Sequence, residues 1–252
     1  MDLTKKPIVF LHIPKTAGQT VHNVLARVVR PRRVSPIRVH TQALDPAEQY
    51  PPGYSLYSGH LDWCALGHLP PARFVFTVLR DPRERVASFY FYLQRKAAGL
   101  NEATLSLPQN IGLKRALEMT PDDYFFGGDD DWQMFIRSHY DNFYCTYFAT
   151  RRMLGWGETV DLTAVELQKQ AKRGLARLDR VYSTNNLVAM EQDLKTRFGL
   201  RLRFAGRYDN TSGEPAHTLR WPRLLAGFAT DAASRRMQDL VAHDQALTKG
   251  LL

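Results

Sequence analysis

The chain opens on an unbroken apolar run. Ile8, Val9, Phe10, Leu11 and Ile13 show no alternation of polar and apolar residues, which is the pattern of a strand buried on both faces in a parallel sheet. From Gly18 onward the period changes. Val21, Val24, Leu25, Val28 and Val29 recur at helical spacing and predict a helix with one face on that sheet. The device repeats between Ala72 and Tyr92. Phe74 to Leu79 reads as a second β-branched and aromatic strand, and Asp81-Pro82 supplies a helix cap followed by proline at the first helical position. In the helix beyond, Val86, Phe89, Tyr90 and Leu93 share one face, while Arg85, Ser88 and Tyr92 share another.

Between these two units, Tyr54, Leu56 and Ser58 alternate with Ser55, Tyr57 and Gly59, a strand ending at Gly59-His60. Arg180 to Ser183 predicts a further strand, with Asn185 or Asn186 near the start of a helix to Phe198. Helices are also expected over Asp141 to Gly155, Leu162 to Leu178 and Leu224 to Leu247. The helix from Leu162 carries Lys169, Lys172, Arg173 and Arg177, a solvated face or a basic surface that steers an acidic acceptor. Strands alternating with helices predict an α/β fold of three layers around a central parallel sheet, a single domain over residues 1–252.

The junction at residues 12–20 concentrates chemistry. Lys15 stands with the small residues Ala17 and Gly18 and the hydroxyl residues Thr16 and Thr20, between a strand and a helix N-terminus. Free N–H groups and the helix dipole favour an anion there, and Lys15 adds a full positive charge, so the segment reads as a phosphate-binding loop. It is not a Walker A loop, because the lysine precedes the only nearby glycine.

Composition permits this without deciding it. The 252 residues and 44% hydrophobic content suffice for one α/β core. A net charge of +9 suits an anionic ligand, and equally nucleic acid or an acidic membrane surface. Cys64 and Cys145 show no metal spacing and no disulfide framework, and read as buried thiols in a reducing compartment. The early apolar run is short and ends in Pro14-Lys15, so it is not a signal peptide, and no stretch approaches the ~18 apolar residues of a membrane span. A cytoplasmic, bacterial protein is expected.

The stretch PIVFLHIPKTAGQT, Pro7 to Thr20, resembles the 5′-phosphosulfate loop of sulfotransferases that use 3′-phosphoadenosine-5′-phosphosulfate (PAPS). Its wording is most similar to the branch containing carbohydrate 2-O-sulfotransferases and their bacterial relatives. The resemblance implies that Lys15, Thr16, Ala17, Gly18, Gln19 and Thr20 bind the donor. The usual family loop ends Gly-Thr-Thr, whereas this chain has Gly18-Gln19-Thr20, and the Gln19 amide can still donate to an oxyanion. Arg80 after the second cluster's strand and Ser88 eight residues on match the family's 3′-phosphate site. Arg85 is either part of that site or an i,i+4 surface partner of Asp81.

An acceptor hydroxyl needs a base poised near neutral pH. The resemblance assigns this to His60, since a Gly-His stands at the matching place in the 2-O branch. Asp62 is the fallback, or a helix cap, and His12 reads as a structural residue of the first strand. The fold implied is similar to that of P-loop kinases. The donor implied is PAPS with no metal required, and Asp129-Asp130-Asp131 reads as a solvated loop rather than a magnesium site. The acceptor implied is a carbohydrate hydroxyl, with tyrosyl, phenolic or lipid-linked acceptors open; no nucleic-acid partner is expected, and the oligomeric state is open. Fainter similarities cover Asn142 to Gly155, near the acceptor cleft of related enzymes, and Arg207 to Ser212, a late cofactor-proximal loop. Two rivals remain: a metal-dependent nucleotide kinase, opposed by the missing Walker glycines, and a basic polyanion- or nucleic-acid-binding module.

Overall fold

The computed structural model describes residues 5–29, 33–204 and 219–252. In chain order the first half runs β1 (Ile8–Leu11), α1 (Gly18–Val29), β2 (Leu56–Gly59), β3 (Phe74–Leu79), α2 (Pro82–Ala98), α3 (Glu102–Leu105) and α4 (Ile111–Glu118). It continues with α5 (Pro121–Phe126), α6 (Asp130–Tyr140), α7 (Phe143–Thr150), α8 (Ala164–Leu175), β4 (Arg180–Ser183), α9 (Leu187–Phe198), α10 (Trp221–Leu225) and α11 (Asp231–Thr248). These elements divide into two compact units.

The first unit takes the described residues within Met1–Arg80, Tyr144–Ala216 and Leu247–Leu252. Its four strands pair in parallel in the order β2-β1-β3-β4. Ile8 to Leu11 are all fully buried, which is why this strand carries no polar position. On one face Ile8, Phe10, Phe74, Phe76 and Val78 pack with Val21, Val24 and Leu25 of α1 and Met190 and Leu194 of α9. The alternate residues, such as Val9 and Val75, face the other way. There Tyr147 of α7 donates its hydroxyl to the Leu61 carbonyl at 2.9 Å and packs its ring beside Trp63. The α/β class with a parallel sheet flanked by helices is therefore as expected.

The second unit, Asp81–Phe143 and His217–Ala246, is helical among its described residues. Val86, Tyr90 and Leu93 of α2 are buried as their spacing predicts, in a core with Tyr124, Trp132 and Tyr140.

Several boundaries differ from expectation, for local reasons. The helix expected from Asp141 begins at Phe143, because Asn142 holds a φ of 43° and its side-chain oxygen caps the N–H groups of His243 and Asp244 instead. Thr163 and Glu166 form a capping box, so α8 starts inside the expected Leu162 to Leu178. The terminal helix is two pieces, α10 and α11. Asp129 to Asp131 do not form a loop: Asp129 caps α6 through the Trp132 N–H at 2.8 Å, and Asp130 and Asp131 sit in its first turn, where the dipole favours them.

Candidate active site

Within the first unit β1 and β3 are neighbours, with Leu11 opposite Thr77. The chain leaves them in opposite directions across the sheet, β1 toward β2 and β3 toward β4. Parallel sheets take ligands beyond the carboxyl ends of strands at such a reversal. The loop after β1 and Arg80 after β3 stand at those ends.

The loop carries local strain. Lys15 and Ala17 have φ values of 71° and 60°, a left-handed conformation rare for residues other than glycine. Left-handed residues alternating along a turn are the backbone pattern of anion-cradling nests, and strain of this kind clusters at ligand sites. Thr16 is fully buried and its hydroxyl donates to the Ile13 carbonyl at 2.9 Å, closing the turn. What Thr16 can donate to an anion is therefore its backbone N–H. The first turn of α1 contains no acidic residue, so nothing within the helix neutralises its positive end. Thr20 is buried beside it, and Gln19 is exposed with its amide donating to the Asn23 side chain at 2.8 Å.

Gly18 has a second reason to be glycine. A Cβ there would lie 1.6 Å from Cδ2 of the His12 ring. That ring has nowhere to go, because it stacks on Phe10 at 5.6 Å and leans on His60 with centroids 4.2 Å apart. His12 follows β1 rather than lying within it and wedges the loop against the candidate base.

His60 Nδ1 lies 2.6 Å from the His12 carbonyl oxygen. A carbonyl can only accept, so Nδ1 carries the proton and Nε2 keeps its lone pair. Burial pulls the His60 pKa below the ordinary histidine value; the bond to the His12 carbonyl opposes this, and the charges of Arg38 and His40 reinforce it. The ring is thus neutral at neutral pH, with the tautomer a general base needs. Its backbone is clamped as well: the His60 N–H donates to the Arg38 carbonyl and the His40 N–H to the His60 carbonyl, both at 2.8 Å. Gly59 permits this approach, since a Cβ there would lie 2.1 Å from the Arg38 carbonyl oxygen.

Arg38 extends the cluster in a way the sequence did not signal. Its guanidinium donates to His22 Nε2, which forces the His22 proton onto Nδ1, donating to the Ser58 hydroxyl at 3.1 Å. Burial, then the Arg38 charge, hold the His22 pKa down at about 4. Burial, followed by the nearby His60, Arg38, His22 and Lys15, likewise holds His12 well below the usual range. For His22 the unfolded chain binds a proton at 6.5 and the fold only near 4, so its stabilisation is complete above about 6.5 and is lost as pH falls toward 4. The melting temperature should fall through that window, and His22→Gln should flatten the fall; an unchanged slope in the variant contradicts this account.

Arg80 is positioned by Tyr144 of α7. The Arg80 N–H donates to the Tyr144 hydroxyl oxygen at 3.2 Å, and that hydroxyl donates back to the Arg80 carbonyl at 3.0 Å. Sequence reading takes the aromatic residues of α7 as core, and Tyr144 is indeed fully buried, so its polar role left no signal.

Ser88 lies buried on α2, in the second unit. Arg85 is not a surface partner of Asp81. It is 1% exposed, donates from Nη2 to the His139 carbonyl at 2.8 Å and sits 4.7 Å over the Phe143 ring. Asp81 instead caps α2 through the Glu84 N–H at 3.1 Å and pairs with Arg83 at 3.6 Å. Asp62 caps no helix; its two oxygens accept from the Met153 N–H at 2.7 Å and the Gln49 amide at 3.2 Å, fastening loops. Arg207 to Ser212 lie outside the described residues. Among the described residues no group of histidine, cysteine or carboxylate side chains is placed to hold a metal, and no helix is long and apolar enough to cross a membrane.

A strained lysine-bearing loop at the end of β1, an arginine at the end of β3 and a tautomer-fixed histidine make up the candidate site. A model of the sulfotransferase family matches residues 3–144, more than half of the chain and inclusive of every residue of this site. The chain belongs to the sulfotransferase family, and is an enzyme of sulfuryl transfer. Membership implies a nucleotide sulfate donor and an acceptor. Comparison with curated proteins gave no match.

Proposed function

We propose that this sulfotransferase takes its sulfuryl group from PAPS and delivers it to a carbohydrate hydroxyl, with His60 as general base. The observation that carries the reading is the His60 tautomer, held by the His12 carbonyl beside a loop whose backbone fits a phosphosulfate. The left-handed Lys15 and Ala17, the Lys15 ammonium and the acid-free first turn of α1 suit an anionic ligand, so the residues present fit the donor. The bound donor supplies an activated sulfuryl group and leaves with its phosphate.

In this reading the N–H groups of residues 16–20 and the Lys15 ammonium hold the phosphosulfate and provide fixed positive potential where negative charge grows. Arg80 holds the 3′-phosphate from the end of β3. Ser88 joins it on the strength of the sequence pattern alone. His60 Nε2 accepts the proton of the attacking hydroxyl, and the His12 carbonyl steadies the imidazolium so formed. Burial, with the Arg38 charge nearby, keeps the ring from being protonated prematurely.

The carbohydrate acceptor rests on the wording of HIPKTAG and the Gly-His pair, and no metal is required in this scheme. The free thiols of Cys64 and Cys145 accord with a cytoplasmic placement. The experiment is transfer of labelled sulfate from PAPS onto glycans, tyrosyl peptides and phenols offered in parallel. Label on glycan hydroxyls is the expected result. Label on peptides or phenols alone would overturn the acceptor while leaving the donor intact.

A further inference from the structure

The first unit contains a cavity apart from the candidate site. On the sheet face away from α1 and α9, the connection from β2 to β3 and the ends of α7 and α8 line a cavity of about 530 Å³. That is the size of an ordinary small-molecule site. Val75, the second residue of β3, forms part of its wall, whereas Arg80 follows the last. Five residues of strand separate the two by about 16 Å, so the cavity is not the donor site.

Its charge is lopsided. Arg73, Arg151 and Arg177 line it against one carboxylate, Asp179. Asp179 is already engaged, accepting the Val75 N–H at 2.7 Å. Among the described residues no ion pair joins it to any of the three arginines. Among the described residues Arg73 reaches only the carbonyls of Leu69 at 3.3 Å and Pro70 at 3.4 Å. The side chains of Arg151 and Arg177 have no hydrogen-bond or ion-pair partner among the described residues. Trp63, 3% exposed and also lining the cavity, has a buried indole N–H with no partner among the described residues.

Arg151 sits directly after α7 with a φ of 62°. Glycine ordinarily takes that position, because any Cβ disfavours the left-handed conformation. Its backbone is bonded at both ends, the N–H to the Tyr147 carbonyl at 2.9 Å and the carbonyl to the Trp63 N–H at 2.8 Å. A long cation is thus held in a strained conformation beside the cavity wall, and strain persists where a side chain has a task.

We propose that this cavity binds a small organic oxyanion, a sulfate or phosphate ester, with Arg151 and Arg177 taking the oxyanion and the apolar wall of Leu66 and Pro71 beside the ester's ring. Planar guanidinium groups suit a tetrahedral oxyanion through paired N–H bonds, and an apolar wall suits a ring. The site stands whether or not the donor loop binds a nucleotide.

Cys64 lines the same cavity and is half-buried, whereas Cys145 is fully buried, so Cys64 alkylation reports on occupancy. The rate of its reaction with neutral iodoacetamide is measured with phenyl sulfate, phenyl phosphate, inorganic sulfate or benzyl alcohol present. At millimolar concentration an aryl ester should slow alkylation several-fold, inorganic sulfate less, and benzyl alcohol not at all. Protection by one ester only assigns the ester. The pair Arg151→Gly and Arg177→Ala should lose the protection with the melting temperature maintained, since glycine suits the backbone at 151. Lys15→Ala should retain it. Unchanged alkylation with both esters, protection surviving in the arginine pair, or protection lost in Lys15→Ala would each overturn the proposal.

Discussion

His60→Ala removes most of the transfer rate, by about 10²- to 10⁴-fold, and leaves affinity for 3′,5′-phosphoadenosine unchanged. The expectation follows from the geometry. The Nδ1 proton is committed to the His12 carbonyl at 2.6 Å, so the ring's remaining nitrogen has only proton acceptance to offer. The pH profile adds a second check. If His60 is the base, its neutral form is the active one, and burial with the Arg38 charge lowers its pKa. Transfer by the wild type should therefore persist below the ordinary histidine range before an acid limb appears, and the alanine variant should lack that limb. A variant with near-normal turnover, or one retaining the same limb, would remove His60 from the mechanism.

Lys15→Ala should lose about 10²- to 10³-fold in rate, the cost of deleting one fixed donor at a site of developing negative charge. Nucleotide affinity should fall too, because in the proposed site the same ammonium meets the phosphosulfate before and during transfer. Lys15→Arg should restore part of the binding and little of the rate, since a guanidinium is longer and planar. Rate and affinity are measured together by isothermal titration and single-turnover transfer. Equal kinetics for wild type and Lys15→Ala would show that the loop does not face the leaving phosphate.

The contrast between these residues and their surroundings tells how far the chain could be read. The loop was legible because its parts are consecutive: an apolar run, a lysine, small residues and an amphipathic helix follow within about twenty positions. Its backbone strain at Lys15 and Ala17 was not, since neither is glycine. Gly59-His60 was legible as a strand end. The reason for Gly59, the Arg38 carbonyl passing where a Cβ would be, depends on a segment over twenty positions earlier. Arg38, His22 and Ser58 were missed as a group for the same reason: nothing periodic connects them, and only the pairing of residues 34–39 alongside β2 brings them together. Arg85 misled because charge at i,i+4 from Asp81 looks like a solvated pair, whereas the helix bearing it is buried on its polar side as well. Tyr144 was hidden by its company, one buried tyrosine among several, distinguished only by what its hydroxyl touches.

The central claim is that the loop at residues 12–20 is a PAPS site. Thermal unfolding in the presence of 3′,5′-phosphoadenosine tests it most directly, because a ligand that binds only the folded protein stabilises it by about 2.7 kcal/mol at a hundred times its Kd. The account predicts a concentration-dependent rise in melting temperature that shrinks in Lys15→Ala. A well-folded wild-type protein whose melting temperature does not move with this nucleotide would contradict it.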